Sequence, residues 1–165
     1  MLACVDVDYR AVGAVAACVL FESWTTGESA GEIVERINEA RPYEPGAFYK
    51  RELPCILAVL DNVRQPVRGI VVDGYVWLGD TQTPGLGARL YESLQQRVPV
   101  IGVAKTRFGQ GEAASAVYRG RSRQPLFVTA AGMPVEDAAR DITRMHGRFR
   151  IPTLLKRADQ LCRNA

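Results

Sequence analysis

Apolar positions in this chain fall into short runs separated by polar turns, and the runs carry two different periods. The densest, Gly69-Ile70-Val71-Val72, stops abruptly at Asp73-Gly74. Consecutive aliphatic residues of this length suit a strand buried on both faces, in the middle of a sheet. Val98 to Ala104 repeats the pattern and ends in Lys105. Between the two, Pro84-Gly85-Leu86-Gly87 leads into a helical stretch that reaches Gln96. A strand–helix–strand crossover makes the strands parallel and puts both C-terminal ends on one side of the sheet. Asp73 alone reads better as a solvated Asp-Gly turn. With Lys105 at a neighbouring strand end, it reads better as a carboxylate presented at the sheet edge, where Gly74 lets another group approach.

Leu2 to Tyr9 opens the chain with a strand pattern, and Asp6 and Asp8, two apart, share one face of it. Two acids on one strand face call for water, a cation or a basic partner there. Val12 to Phe21 is a second apolar run, and the short connection implies an antiparallel pair. Glu32 to Arg41 admits two readings. Ile33, Val34, Ile37 and Ala40 fit a helical face behind a Ser29-x-x-Glu32 capping box, while the polar flanks fit a short third strand. Pro42-Tyr43-Glu44-Pro45-Gly46 is a rigid loop, and its Tyr43 either offers a stacking surface for a base or packs the loop down. From Phe48 to Val63 the period is helical, carried by Leu53, Ile56, Leu57 and Leu60, with Pro54 expected in the first turn. Glu52 stands near that helix's N-terminus, where the dipole favours a negative charge.

Tyr75 to Thr83 reads as irregular, and Arg107 to Ser115 as a flexible, glycine-containing segment. Ala116 to Tyr118 and Pro125 to Thr129 are short strands across an Arg-rich turn. Pro134-Val135-Glu136-Asp137 starts a helix running to His146, and Ile151-Pro152 precedes a last helical stretch that carries Asp159. His146 has no partner motif around it and reads as a surface or helix-end residue.

The 165 residues suit one domain, 1–165, with a full hydrophobic core. With 21 basic and 18 acidic residues the net charge is only +3, so no strong polyelectrolyte signal is present. Arginines do bunch at Arg119, Arg121 and Arg123 and again between Arg144 and Arg157, a bias that fits either a phosphate backbone or a solvated face. Cys4, Cys18, Cys55 and Cys162 show no CxxC spacing, which favours reduced core thiols and a cytoplasmic setting over disulfides or zinc. There is no leader pattern and no apolar stretch of membrane length.

The chemistry-bearing residues are acids at element ends: Asp6, Glu52, Asp73 and Asp159. A Gly-x-Ser-x-Gly elbow, a Walker loop, an HExxH and a His-based triad are all missing. Carboxylates without histidines favour hard cations such as Mg²⁺ or Mn²⁺. Two such ions roughly 3.5–4 Å apart stabilise both the attacking and the leaving oxygen in phosphodiester hydrolysis. A lysine beside them offsets charge on the phosphate.

In order along the chain, these stretches resemble the endonuclease V family, which nicks DNA or RNA near inosine. VDVDY at 5–9 resembles the family's first-strand motif and implies a metal-binding role for Asp6. PYEPG at 42–46 with RE at 51–52 resembles its wedge loop and acidic residue. That likeness implies strand separation by Tyr43, held by Pro45 and Gly46, and metal ligation by Glu52. VVDG at 71–74 implies a second metal Asp at Asp73, with Gly74 beside the substrate. IGVAK at 101–105, the most specific match, implies an active-site lysine at Lys105. PLFV at 125–128, RIP at 150–152 and RAD at 157–159 complete the series, with Asp159 where the family carries a further Asp or His.

The resemblance implies a ribonuclease-H-like mixed α/β sheet, antiparallel strands first and parallel crossovers after, in which Glu32 to Ile37 becomes the third strand. It implies a Mg²⁺- or Mn²⁺-dependent endonuclease whose partner is DNA or RNA, with no membrane partner. The departures lie around the base. The family's N-terminal helical segment does not precede the first strand. Its glycine- and His-Pro-rich stretch is here Tyr75-Val76-Trp77-Leu78-Gly79-Asp80, in which Trp77 is a candidate to stack on a base. Lys105 to Pro125 is short, and Ala131-Gly132-Met133 stands for a Pro-Gly-His. Metal chemistry therefore carries over better than inosine specificity. The other readings are a structure-specific nuclease and a nucleic-acid-binding protein that has lost catalysis.

Overall fold

The computed structural model describes residues 1–39, 44, 47–79, 83–109 and 114–165. Strands β1 (Leu2–Tyr9) and β2 (Ala14–Phe21) form a hairpin in continuous register, from Leu2 opposite Phe21 to Tyr9 opposite Ala14. The next element is a strand, β3 (Gly31–Ile37), antiparallel to β2. Ser29 and Glu32 therefore do not form a capping box: the Ser29 hydroxyl donates to Glu32 at 3.0 Å, and the Arg157 guanidinium grips the same carboxylate through two bonds of 2.8 Å. The open edge of β2 needs a hydrogen-bonding partner, and that tertiary demand overrides the local helical period.

Helix α1 (Tyr49–Leu60) follows, then β4 (Ile70–Asp73), helix α2 (Leu86–Ser93) and β7 (Val100–Ala104). Pro54 lies further inside α1 than the first turn, whereas Glu52 is in that turn. As the apolar runs require, β4 is parallel both to β1 and to β7. Within the stretch read as irregular, β5 (Trp77–Leu78) pairs with β6 (Thr83–Pro84) in a small antiparallel ribbon. Strands β8 (Ser115–Val117) and β9 (Leu126–Ala131) and helices α3 (Val135–Arg144) and α4 (Thr153–Asn164) complete the chain.

Seven strands make one sheet in the order β3-β2-β1-β4-β7-β9-β8. Alternation along the strands divides the core in two. Ala3, Val5, Ile70, Val72 and Val100 pack on Cys55, Ile56 and Val59 of α1 and Ala88 and Leu90 of α2. Leu2, Cys4, Val71, Ile101 and Val103 pack on Ala138 and Ile142 of α3 and Leu154, Leu155 and Ala158 of α4. This is a ribonuclease-H-like sheet with helices on both faces. Among the described residues no helix is long and apolar enough to cross a membrane, and all four cysteines are buried free thiols.

One close approach shapes the region after β4. The Val76 amide donates to Thr129 Oγ1 at 2.8 Å, which draws residues 74–76 across β7. A Cβ on Gly102 would stand 2.6 Å from the Gly74 carbonyl oxygen and 2.7 Å from the Val76 nitrogen, so glycine in IGVAK is required by backbone passing overhead.

Candidate active site

The parallel register gathers the acids. Val5 lies opposite Val72, so the next residues, Asp6 and Asp73, leave adjacent strands at the same level. Asp73 in turn lies opposite Val103, two residues before Lys105. Asp6 continues the row of Leu2 and Cys4, Asp73 that of Val71, and Lys105 that of Ile101 and Val103, all on the α3–α4 face. α4 contributes Asp159, and the first turn of α1 brings Glu52 from the other face. A cavity of about 270 Å³ is lined by Asp6, Asp8, Glu52, Asp73 and Asp159, with Lys105 and Arg163. Five carboxylates thus face two cations.

Three of the five have partners. Asp73 accepts a hydrogen bond from the Lys105 ammonium. Asp159 pairs with Arg163 at 2.8 Å, and Asp8 with Arg10 at 3.1 Å. Asp6 and Glu52 have no ion-pair partner among the described residues. Burial, and then the charge of Asp73, push Asp6 up to about 7, against the pull of the Val7 amide bonded to its Oδ1 at 2.9 Å. Burial and the charges of Asp6 and Asp73 push Glu52 up to about 8. Glu52 Oε2 is buried without a hydrogen-bond partner. Burial pulls Lys105 down, but its bond to Asp73 and the surrounding acids outweigh this and hold it above the usual lysine value.

This donor set suits a hard divalent cation. It is all carboxylate oxygen, carries excess negative charge and includes an orphaned buried oxygen. Among the described residues no group of three acid, histidine or cysteine side chains is already arranged to hold an ion, and Asp73 is turned to Lys105. A cation would relieve the repulsion that now raises Asp6 and Glu52.

Beside the acids lies a mainly apolar cavity of about 300 Å³, lined by Phe48, Tyr49, Tyr75, Leu78, Leu86 and Phe108, together with Glu52, Asp73 and Gly74. The Tyr75 hydroxyl donates to the Thr106 carbonyl at 2.7 Å and accepts the Phe108 amide at 3.0 Å, bracing one wall. Tyr75 and Phe108 lie in the stretches read from sequence as irregular and flexible. Neither was singled out from the sequence, where their aromatic character beside Asp73 and Lys105 was the signal that could have found them. Trp77 is not among the residues that line this cavity: its indole N–H donates to the Ala130 carbonyl at 2.9 Å and its ring packs on the α1–α2 core. Tyr43, Pro45 and Gly46 lie outside the described residues. His146 bonds Thr153 Oγ1 at 3.0 Å, a helix-end contact. A larger cavity, about 690 Å³, lies away from the acids between Gly27–Glu32 and α4, and its one strand acid, Glu32, is already held by Arg157.

Comparison with known proteins identifies the family and supports the fold. The family model described as Endonuclease V matches residues 1–130. Endonuclease V of Streptomyces avermitilis is 30% identical over 144 residues, 75% of this chain, which spans 62% of that protein. The crystal structure of Endonuclease V from Streptomyces avermitilis superposes with a TM-score of 0.85 at 28% identity, covering 99% of this chain and 79% of that one. Ciona intestinalis Endonuclease V, solved with a 24-mer DNA containing an inosine followed by a ribo-adenosine, shares the fold at TM-score 0.80 and 19% identity, covering 99% and 84%. A match over most of the chain, on the same sheet that aligns Asp6 with Asp73, leads to one conclusion: this chain belongs to the Endonuclease V family.

Proposed function

We propose that residues 1–165 act as one cytoplasmic endonuclease domain that hydrolyses a phosphodiester bond of DNA or RNA with Mg²⁺ or Mn²⁺, in repair of deaminated bases. The observation that carries this reading is the pair of half-buried Asp6 and buried Glu52, neither with an ion-pair partner among the described residues and Glu52 with an orphaned oxygen, beside the Asp73–Lys105 ion pair and an aromatic cavity. Buried like charges without counter-ions destabilise a fold that makes no use of them. Buried free thiols support the reducing compartment.

Asp6, Glu52 and Asp73 would hold the cation, which supplies Lewis-acid stabilisation of charge on the phosphoryl oxygens. The chain's own residues do the positioning. Lys105 stays protonated and exchanges Asp73 for a non-bridging phosphate oxygen, so positive charge is in place before charge develops on phosphorus. Asp159, steered by Arg163, closes the ring of carboxylates on the α4 side. Phe48, Tyr75 and Phe108 offer faces to a base turned out of its stack, and Tyr43 would wedge the gap. Inosine, the base in the DNA bound by the Ciona protein, is the first candidate, and the products would be a 3′-hydroxyl and a 5′-phosphate.

The test is cleavage of labelled single- and double-stranded DNA and RNA, with and without one inosine, in Mg²⁺ and in Mn²⁺. An inosine-dependent nick that Asp73→Asn lacks is the expected result. Cleavage indifferent to inosine would move the substrate to strand structure. Binding of nucleic acid with no cleavage under any condition would overturn the enzyme reading.

A further inference from the structure

Asp73 also borders a third cavity, on the opposite face of the sheet from the aromatic one. It measures about 400 Å³ and runs from Asp73 and Lys105 past Phe149 and Arg150 to Leu155, Lys156 and Asp159. Its lining combines apolar ring and aliphatic carbon with Lys105, Arg150 and Lys156, which outnumber the acids Asp73 and Asp159, and so offers a nucleotide a face for the base and cations for its phosphate. Lys156 has no ion pair among the described residues. Phe149 is 63% exposed, and the Arg148 guanidinium lies 5.1 Å from its ring centroid.

A single exposed phenylalanine is ordinary. The turn that presents it is not. Arg119, buried behind the turn, donates to the carbonyls of Met145, Gly147, Phe149 and Arg150. No acid pairs with it among the described residues. Gly120, at φ +59°, packs so closely that a Cβ there would stand 2.2 Å from the Arg148 carbonyl oxygen. From the other side, Arg150 donates to the carbonyls of Lys105 and Pro125 and so ties the turn to the C-terminal end of β7. Burying an arginine among carbonyls alone costs desolvation that an apolar turn would avoid. The result is a stiff platform that fixes an outward-facing ring beside the acids.

We propose that this cavity is a second nucleotide subsite, in which Phe149 stacks on a base while Lys156 and Arg148 meet the adjoining phosphates. Given the nuclease reading above, on which it rests, the subsite holds the nucleotide across the scissile phosphate from the base in the aromatic cavity. One strand, passing over Asp73 at the end of the sheet, is then held on both faces.

The test uses the full chain and single-stranded DNA with 2-aminopurine at successive positions on both sides of the bond that the wild type cuts. A chelator keeps the strand intact, and stacking quenches the probe. Quenching is expected at one or two positions beyond the cut, lost in Phe149→Ala and restored in Phe149→Trp. Affinity of Phe149→Ala should fall about tenfold, and Lys156→Ala should flatten the salt dependence of binding. A strand truncated at the cut should bind wild type and Phe149→Ala equally. Matched melting curves check that the exposed position leaves the fold intact. Unchanged quenching and affinity in Phe149→Ala, with wild-type cleavage present, would overturn the subsite and spare the nuclease reading. So would an equal loss on full and truncated strands. Absence of wild-type cleavage on every strand would sink both.

Discussion

Glu52 and Arg119 are buried to a similar degree, at 7% and 5% exposure, but the protein treats them in opposite ways. Arg119 finds four carbonyl oxygens for its terminal nitrogens and fixes a turn, with only its Nε left without a partner. Glu52 keeps one carboxylate oxygen without a partner and faces Asp6 and Asp73, which raise it further. A buried charge surrounded by acceptors of opposite partial charge is structural. An unsatisfied one among like charges keeps its binding capacity for something the fold does not supply. The contrast separates scaffold from site within one molecule, and each side makes its own prediction.

The largest effect belongs to Glu52→Gln. On the proposed function it should slow cleavage by about 100- to 1000-fold, while the metal-free melting temperature above about pH 8 holds or rises, because there a repelled buried charge is removed. A variant that cuts at the wild-type rate would place Glu52 outside the site. Arg119→Ala should do the reverse. Leaving those carbonyls without their donor should lower unfolding free energy by about 2–4 kcal/mol in urea melts. Cleavage at saturating substrate should persist below the transition, and a collapse in rate with the fold intact would break the comparison from that side.

A third prediction concerns protons. Burial and repulsion by neighbouring acids push Asp6 up to about 7 and Glu52 up to about 8 in the fold, above their ordinary 3.8 and 4.5. Between those values the native state binds protons that the unfolded state has released, so stability falls as pH rises. The loss begins above the ordinary carboxylate range and is complete once pH has passed about 8. Metal-free melting temperature should therefore drop between pH 5 and pH 8.5. Mg²⁺ or Mn²⁺, replacing the protons, should raise it most at the alkaline end. Glu52→Gln should flatten the metal-free slope. A slope unaffected by Glu52→Gln would assign it to other groups.

The two sides of the contrast were not equally legible in the sequence. Asp73 and Lys105 were readable because fully buried parallel strands leave continuous apolar runs whose ends are visible. Asp6 and Asp8 were readable through the two-residue period of β1. The strand at Gly31–Ile37 needed the family likeness, since its own residues fit a helix until the edge of β2 is there to pair with. Arg119 was hidden: among Arg121 and Arg123 it looks like one more surface cation, and only the adjoining Gly120 hints at a close packing contact. The ribbon of β5 and β6 and the fate of Trp77 depend on Thr129 and Ala130, some fifty residues away, and no local pattern encodes such a bond.

Trp77 gives the smallest and sharpest test. Its indole N–H is a neutral donor satisfied by the Ala130 carbonyl, so it falls on the Arg119 side of the contrast rather than beside the base. Trp77→Phe keeps an aromatic ring in the core and removes that hydrogen bond, which should lower stability by about 1 kcal/mol. A base-stacking tryptophan would behave otherwise, because phenylalanine would weaken nucleic-acid affinity and leave unfolding untouched. Measuring a melting curve and an oligonucleotide titration on the same variant distinguishes the two. A shift in the melt with unchanged affinity keeps Trp77 in the scaffold and leaves the base to Phe48, Tyr75 and Phe108.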